Sequence, residues 1–266
     1  MQLKLGLHPV TRQPDITLAD YYTAKLPDIG SLTYPLGHAD KIQPEMFLND
    51  KLGCCAIAGS IEEIRLANAL RGVTVNFDDQ AVIDNYAEVA GYNPADPASD
   101  HGCDVHDLYE YRILDGIGDA DDQTHKILAY AGLTPRDPDE LLIALSLFDM
   151  VGVGMLMPEY VEGQFAAGQP WHLEPGRHQI AGGHYVPIVG ATNQHTLQAY
   201  SWGRLIEIST EFYAALNVVA VVALTEEILT GGKTPEGVDA KRLATDLGLL
   251  NTGVVSAKAP AKAAAK

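Results

Sequence analysis

Apolar residues recur with two different periods along this chain, and the change from one to the other falls just past its middle. Ile57, Ile61, Ile64, Leu66 and Leu70 share one side of a helix predicted over about 55–70, which Gly72 ends. A second helix begins after Phe77. Asp78 and Asp79 suit its N-terminus, Val82, Tyr86 and Val89 share a face, and Gly91 closes it. The stretch NPADPASDHG at 93–102 is a loop by composition, and a helix near 104–115 follows. Thr124–Tyr130 reads equally as a short helix or a strand. Asp137, Pro138, Asp139 and Glu140 open another helix, which reaches about Phe148; its proline lies in the first turn and its acids complement the helix dipole. VGVGMLMP at 151–158 then reads as a buried strand.

From there the period is two. HYVPIVGAT (184–192), TLQAYSWG (196–203), RLIEIS (204–209) and NVVAVVAL (217–224) are short apolar or alternating runs separated by turn residues, with a short helix TEFYAALN at 210–217. Helices first and antiparallel strands afterwards predict an α+β fold rather than a wound parallel sheet. No internal repeat is present. The prolines and glycines of residues 1–48 predict an extended, mostly irregular arm, and residues 49–230 the folded domain. After Gly231 and Gly232 the chain turns polar, and SAKAPAKAAAK at 256–266 predicts a disordered tail.

Composition narrows the function classes. The chain has 266 residues, 47% of them hydrophobic and 20% charged, enough for a sizeable core. Eighteen basic against 35 acidic side chains give a formal charge of -17, a surface that repels phosphate backbones and anionic lipid, so neither nucleic acid nor membrane is an expected partner. The three cysteines, Cys54, Cys55 and Cys103, make no disulfide framework. MQLKLGLHPVTRQP lacks the apolar run of a secretory signal, and no stretch is long enough to span a bilayer, so cytoplasmic synthesis is expected.

Three segments carry the chemistry. In Asn49-Asp50-Lys51-Leu52-Gly53-Cys54-Cys55-Ala56, a thiol stands where a loop becomes a helix, and the positive end of the dipole favours thiolate there. Gly182-Gly183-His184-Tyr185-Val186-Pro187-Ile188-Val189-Gly190 sets a histidine at the start of an apolar strand. Tyr200-Ser201-Trp202-Gly203 ends the next strand, and antiparallel pairing brings that turn towards His184.

In order and separation these segments resemble the catalytic segments of the papain family of cysteine peptidases, over roughly residues 45–225. Six residues before the nucleophile that family has a glutamine, and this chain has Asn49. The family's H-A-V-x-x-V-G strand is similar to His184–Gly190. Its asparagine, in N-S-W-G sixteen residues past the histidine, falls on Tyr200. The resemblance implies a papain-like fold with the nucleophile on a helix N-terminus followed by an antiparallel β part. It implies Cys55 as nucleophile, His184 as its base, Asn49 as an oxyanion donor and Trp202 as a shield over the histidine, with no cofactor or metal. Tyr200 departs from the pattern: either the orienting role is lost, or another residue supplies it. Ala56 stands where the family has a tryptophan, and Leu52 where secreted relatives have a disulfide cysteine.

These departures resemble a divergent branch found in bacteriophage and prophage genomes. The implied function is peptide amide hydrolysis. A silent papain-like virion protein, with other virion proteins as partners, and a phage peptidoglycan hydrolase are the alternatives. The acidic surface suits anionic cell wall poorly, and such hydrolases typically lack the S-W-G turn. His101, Cys103, Asp104 and His106 are metal-ligand types at a spacing that fits no standard zinc pattern; a polar loop entering a helix explains them as well.

Overall fold

The computed structural model of the protein describes residues 3–225, except 24 and 177, and residues 237–239, 242, 243 and 245. The tail at 256–266 and the glycine pair before the polar extension lie outside the described residues. Six helices and nine strands follow in the order β1 (Leu36–Gly37), α1 (Cys55–Ala69), α2 (Asp79–Ala90), α3 (Val105–Leu114), β2 (Ile117–Gly118), β3 (Thr124–His125), β4 (Ala129–Gly132), α4 (Pro138–Phe148), β5 (Val151–Pro158), α5 (Val161–Ala166), β6 (Ile180–Asn193), β7 (Thr196–Ser201), β8 (Arg204–Ser209), α6 (Thr210–Leu216) and β9 (Asn217–Leu224) among those residues. The helical half precedes the sheet, as the change of period predicts.

Local chemistry sets the helix ends. Asp78 caps α2 by accepting from the Ala81 N–H, and Gly91 closes it with φ 70°. Asp137 accepts from Asp139 and Glu140 at the start of α4. The segment 124–130, open between helix and strand in the sequence, resolves into β3 and the start of β4, both short.

The main sheet has the order β4-β9-β5-β6-β7-β8, with β1 beside β6. Its pairings are antiparallel. Helix α1 packs on β6, so the thiol and the imidazole are carried by neighbouring elements. Tyr185 fixes that contact. Its ring lies against Gly59 of α1, where a Cβ would stand 2.6 Å from the ring carbon, and its hydroxyl fills the space over Gly152. Beneath it lies a buried ion pair, Arg112 Nη1 to Glu63 Oε2 at 2.6 Å. The Tyr185 hydroxyl donates to Glu63 Oε1 at 2.5 Å, and Tyr109 lies 2.8 Å from the Tyr185 oxygen. Since Tyr185 gives its proton to the carboxylate, Tyr109 is the donor to Tyr185. The network ties α1, α3 and β6 together.

The arm is irregular, but it packs closely against the body. Ile16, Leu18 and Tyr21 are buried in the sheet-side core, and Thr17 pairs with Gly132. No helix among the described residues is long and apolar enough to cross a membrane.

Removing one partner of the buried pair strands the other charge. Arg112→Met is expected to cost about 3–5 kcal/mol of stability. Adding Glu63→Leu to that variant is expected to recover much of the loss, because no lone charge remains. Urea unfolding of the single and double variants measures both.

Candidate functional site

The loop ahead of α1 is held rigidly. Phe47 and Leu48 are successive non-glycine residues at positive φ, 47° and 59°, a conformation that persists only where surroundings enforce it. Asp100 Oδ1 accepts from the Gly53 N–H at 2.7 Å and from the Tyr86 hydroxyl at 3.0 Å. Cys54 is the residue before the first turn of α1, and its thiol donates to the Phe47 carbonyl at 3.4 Å. Cys55 therefore opens the helix with its side chain turned inward, fully buried.

The backbone N–H groups of Tyr185, Gly6, Ala56 and Cys55 itself face the Cys55 sulfur. Contact with the Tyr185 N–H sets the sulfur against the peptide that joins His184 to Tyr185. Burial pushes the thiol up to about 11, and these N–H groups oppose that rise. Burial also raises the Cys54 and Cys103 thiols.

His184 is fully buried, and burial takes its imidazole down to about 3. Its Nδ1 has no hydrogen-bond partner. Its Nε2 lies 2.8 Å from Ser201 Oγ. The Trp202 ring stacks on the imidazole at 4.3 Å between centroids and 17° between planes, and Trp171 meets it edge-on at 6.2 Å. Trp202 and Gly203, at φ 45° and 70°, form the two-residue turn joining β7 to β8.

Tyr200 is not the ring's partner. Its hydroxyl donates to the Ala39 carbonyl at 3.0 Å, and its ring packs with Leu66 and Val189. The register explains the difference. Between Asn193 and Ile188 the pairing of β6 with β7 slips at two irregularities. The two one-residue slips cancel in facing: Ile188 stands opposite Ala199, so strand alternation puts His184 and Ser201 on one face of the sheet and Tyr200 on the other. Ser201 was missed because the matched spacing named Tyr200; the only sequence signal for it was its place beside Tyr200 in the same turn.

Asn49, Cys55, Tyr185, Ser201 and Trp202 line one small cavity. Asn49 is buried there, and its Oδ1 makes no hydrogen bond. Glu62, seven residues past Cys55 on α1, lines the same cavity. Burial raises its carboxyl to about 7 against the pull of Arg65. His101, Cys103 and His106 do not gather around a common point: His106 is held by the Tyr130 hydroxyl and the Arg12 carbonyl, and His101 offers its carbonyl to His8. No set of three His, Cys, Asp or Glu among the described residues is placed to hold a metal.

The arm covers the site. The Leu7 N–H donates to the Gly183 carbonyl at 3.0 Å. On the opposite wall the Cys103 N–H donates to the Gly6 carbonyl at 2.9 Å, and the His8 N–H to the Cys103 carbonyl at 3.0 Å. The Trp202 Nε1–H donates to the Lys4 carbonyl at 3.4 Å. Gly6 lies over the Cys55 sulfur, where a Cβ would collide with the Gly53 carbonyl. Extended backbone thus bridges the helical wall and the sheet wall, and Cys55 and His184 stay dry.

Solved structures with the same fold are cysteine proteases. Xylellain, a cysteine protease from Xylella fastidiosa, superposes with a TM-score of 0.63 at 15% identity, over 85% of this chain and 98% of its own. Procathepsin B from Trypanosoma congolense gives 0.53 at 10% identity, over 84% and 85%. Procathepsin L2 from Tenebrio molitor larval midgut gives 0.50 at 15%, over 80% and 76%. No protein-family model matches the sequence, and no curated protein matches it. The fold is papain-like, as the three segments imply.

Two outcomes follow from this geometry. Gly6→Val is expected to expel the arm and raise the rate of Cys55 alkylation by iodoacetamide at least tenfold, roughly the loss of 1.4 kcal/mol of closure; peptide mapping after brief labelling reads it. His184 stays neutral down to about 3 in the folded chain, against 6.5 when unfolded. The unfolded state therefore binds more protons in that window. Stability from this group is complete above 6.5 and is lost as pH falls towards 3. Urea unfolding at a series of pH values should show this decline, and His184→Gln should flatten it.

Proposed function

We propose that the chain hydrolyses peptide amide bonds through Cys55 and His184, in a cleft that its own arm closes. The observation carrying this reading is the placement of the Cys55 sulfur against the His184–Tyr185 peptide, with His184 Nδ1 buried and bonded to nothing.

In the closed state burial favours the neutral form of both groups, so the resting pair is thiol and imidazole. Withdrawal of the arm admits water and substrate. Cys55 Sγ–H then passes its proton to His184 Nδ1 as the sulfur bonds to the substrate carbonyl carbon. The oxyanion is received by the Cys55 backbone N–H and by the Asn49 amide, which turns its N–H₂ towards the cavity. As the tetrahedral carbon collapses, the C–N bond breaks and the imidazolium gives its proton to the departing amine. Water then attacks the thioester, His184 takes its proton, and the acid leaves as Sγ–H reforms. Trp202, stacked on the ring, excludes water from its face.

A structural role in a phage particle, with Cys55 idle, is the competing reading. The covered, neutral pair is the observation that favours an idle thiol.

The experiment compares cleavage of a mixed-sequence fluorogenic peptide library by the full chain and by Gly6→Val, each with and without Cys55→Ser. The expected result is turnover in Gly6→Val that falls by roughly 10³-fold or more without the thiol. Turnover that survives Cys55→Ser, or an epoxysuccinyl reagent that leaves Cys55 unmodified in Gly6→Val, overturns the hydrolase reading in favour of the structural one.

A further inference from the structure

We infer that Ser201 is the positioning residue of this site, holding His184 in the tautomer whose Nδ1 is free to take the thiol proton. The inference rests on the reading of Cys55 and His184 as an acting pair and assigns what sets the state of that pair.

The geometry is local and nearly dry. Ser201 is 6% exposed, and its Oγ lies 2.8 Å from Nε2. The two ring nitrogens have unlike surroundings: Nε2 faces the hydroxyl, and Nδ1 faces no partner. A buried N–H without an acceptor is rarer in native structures than an acceptor without a donor. The neutral ring therefore carries its proton on Nε2, donated to Ser201 Oγ, and leaves the Nδ1 lone pair unbonded. Once Nδ1 gains a proton the same oxygen still accepts from Nε2, so the contact serves the imidazolium as well.

Two features hold the hydroxyl in place. Ser201 is the last residue of β7, paired with Arg204 across the two-residue turn, and Trp202 takes up the left-handed conformation the turn needs while its ring stacks on the imidazole. The same turn thus presents a hydroxyl to the edge of the ring and an indole to its face. Tyr200, one residue earlier, faces away and bonds to Ala39.

The test reads the ring directly in the full chain, by long-range proton–nitrogen correlation spectra of imidazole-labelled protein, with His184→Gln identifying the resonance. The wild type and Tyr200→Phe are expected to show one tautomer, protonated at Nε2. Ser201→Ala is expected to show a mixture, or the proton on Nδ1, and Ser201→Thr, which keeps the hydroxyl, to restore the wild-type pattern. Circular dichroism and urea unfolding of each variant separate loss of the contact from loss of the fold. Cys55 alkylation in the full chain is expected to fall roughly tenfold in Ser201→Ala and to recover in Ser201→Thr. An unchanged tautomer in Ser201→Ala, or a change equally large in Tyr200→Phe, overturns the assignment. A thiol that labels in no variant counts against the hydrolase reading alone, because the spectra judge Ser201 whether or not the thiol reacts.

Discussion

The buried pair of Glu63 and Arg112, with the Tyr185 hydroxyl on the same carboxylate, fixes where everything else in the site can be. Glu63 stands two helical turns past Cys55 on α1, and Tyr185 follows His184 on β6. The network therefore locks the helix of the thiol to the strand of the imidazole a few residues from each. Desolvating two charges costs several kcal/mol per ion, repaid only where geometry is good and further hydrogen bonds are made. Here both carboxylate oxygens are occupied, one by Arg112 and one by Tyr185. A hydrophobic replacement of equal volume would hold the core as well; what it would lose is the single fixed register of α1 on β6. Gly59 and Gly152 are the sequence's concession to this arrangement, leaving room for the Tyr185 ring and hydroxyl.

Electrostatics in the closed cleft run against the helix dipole. A thiol at a helix N-terminus is favoured as thiolate, and four backbone N–H groups face this sulfur, yet the thiol stands at about 11 because the site is dry. Burial acts on His184 too, and because its charged form is the cation, it takes the imidazole down to about 3. Desolvation therefore outweighs the pull of the dipole and of the four N–H groups on the sulfur. Both groups are held neutral with the arm in the cleft, where Gly6 lies against the Gly53 carbonyl.

Much of this was legible in the sequence, for identifiable reasons. Helix ends carried by Asp78, Gly91 and Asp137 are local chemistry and fell where the pattern put them. The order of helices before strands is a change of period, and it gave the α+β class. The loop-to-helix junction at Cys55 and the strand at His184 are contiguous segments whose meaning survives any tertiary arrangement. What escaped depended on registers and backbone states that single residues do not announce. With Ile188 opposite Ala199, strand alternation gives the ring Ser201, where the matched spacing named Tyr200. The positive φ of Phe47 and Leu48, which carries Asn49 into the cavity, has no glycine to mark it. Leu5-Gly6-Leu7 reads as an unremarkable piece of an irregular arm until the two cleft walls are in place on either side.

The turn after β7 makes the same point energetically. Placing Trp202 in the left-handed region costs about 1–2 kcal/mol relative to glycine. The turn already has Gly203 at its second position, so a glycine at 202 would relieve the strain and would leave Ser201 on the same strand. It would also remove the indole that covers the imidazole, meets Phe165 and Trp171 edge-on, and donates to the Lys4 carbonyl of the arm. Aromatic contacts of this kind are worth about 0.5–1.5 kcal/mol each beyond the area they bury. They are enough to hold the strained residue, and one side chain thereby packs the imidazole and fastens the arm at once.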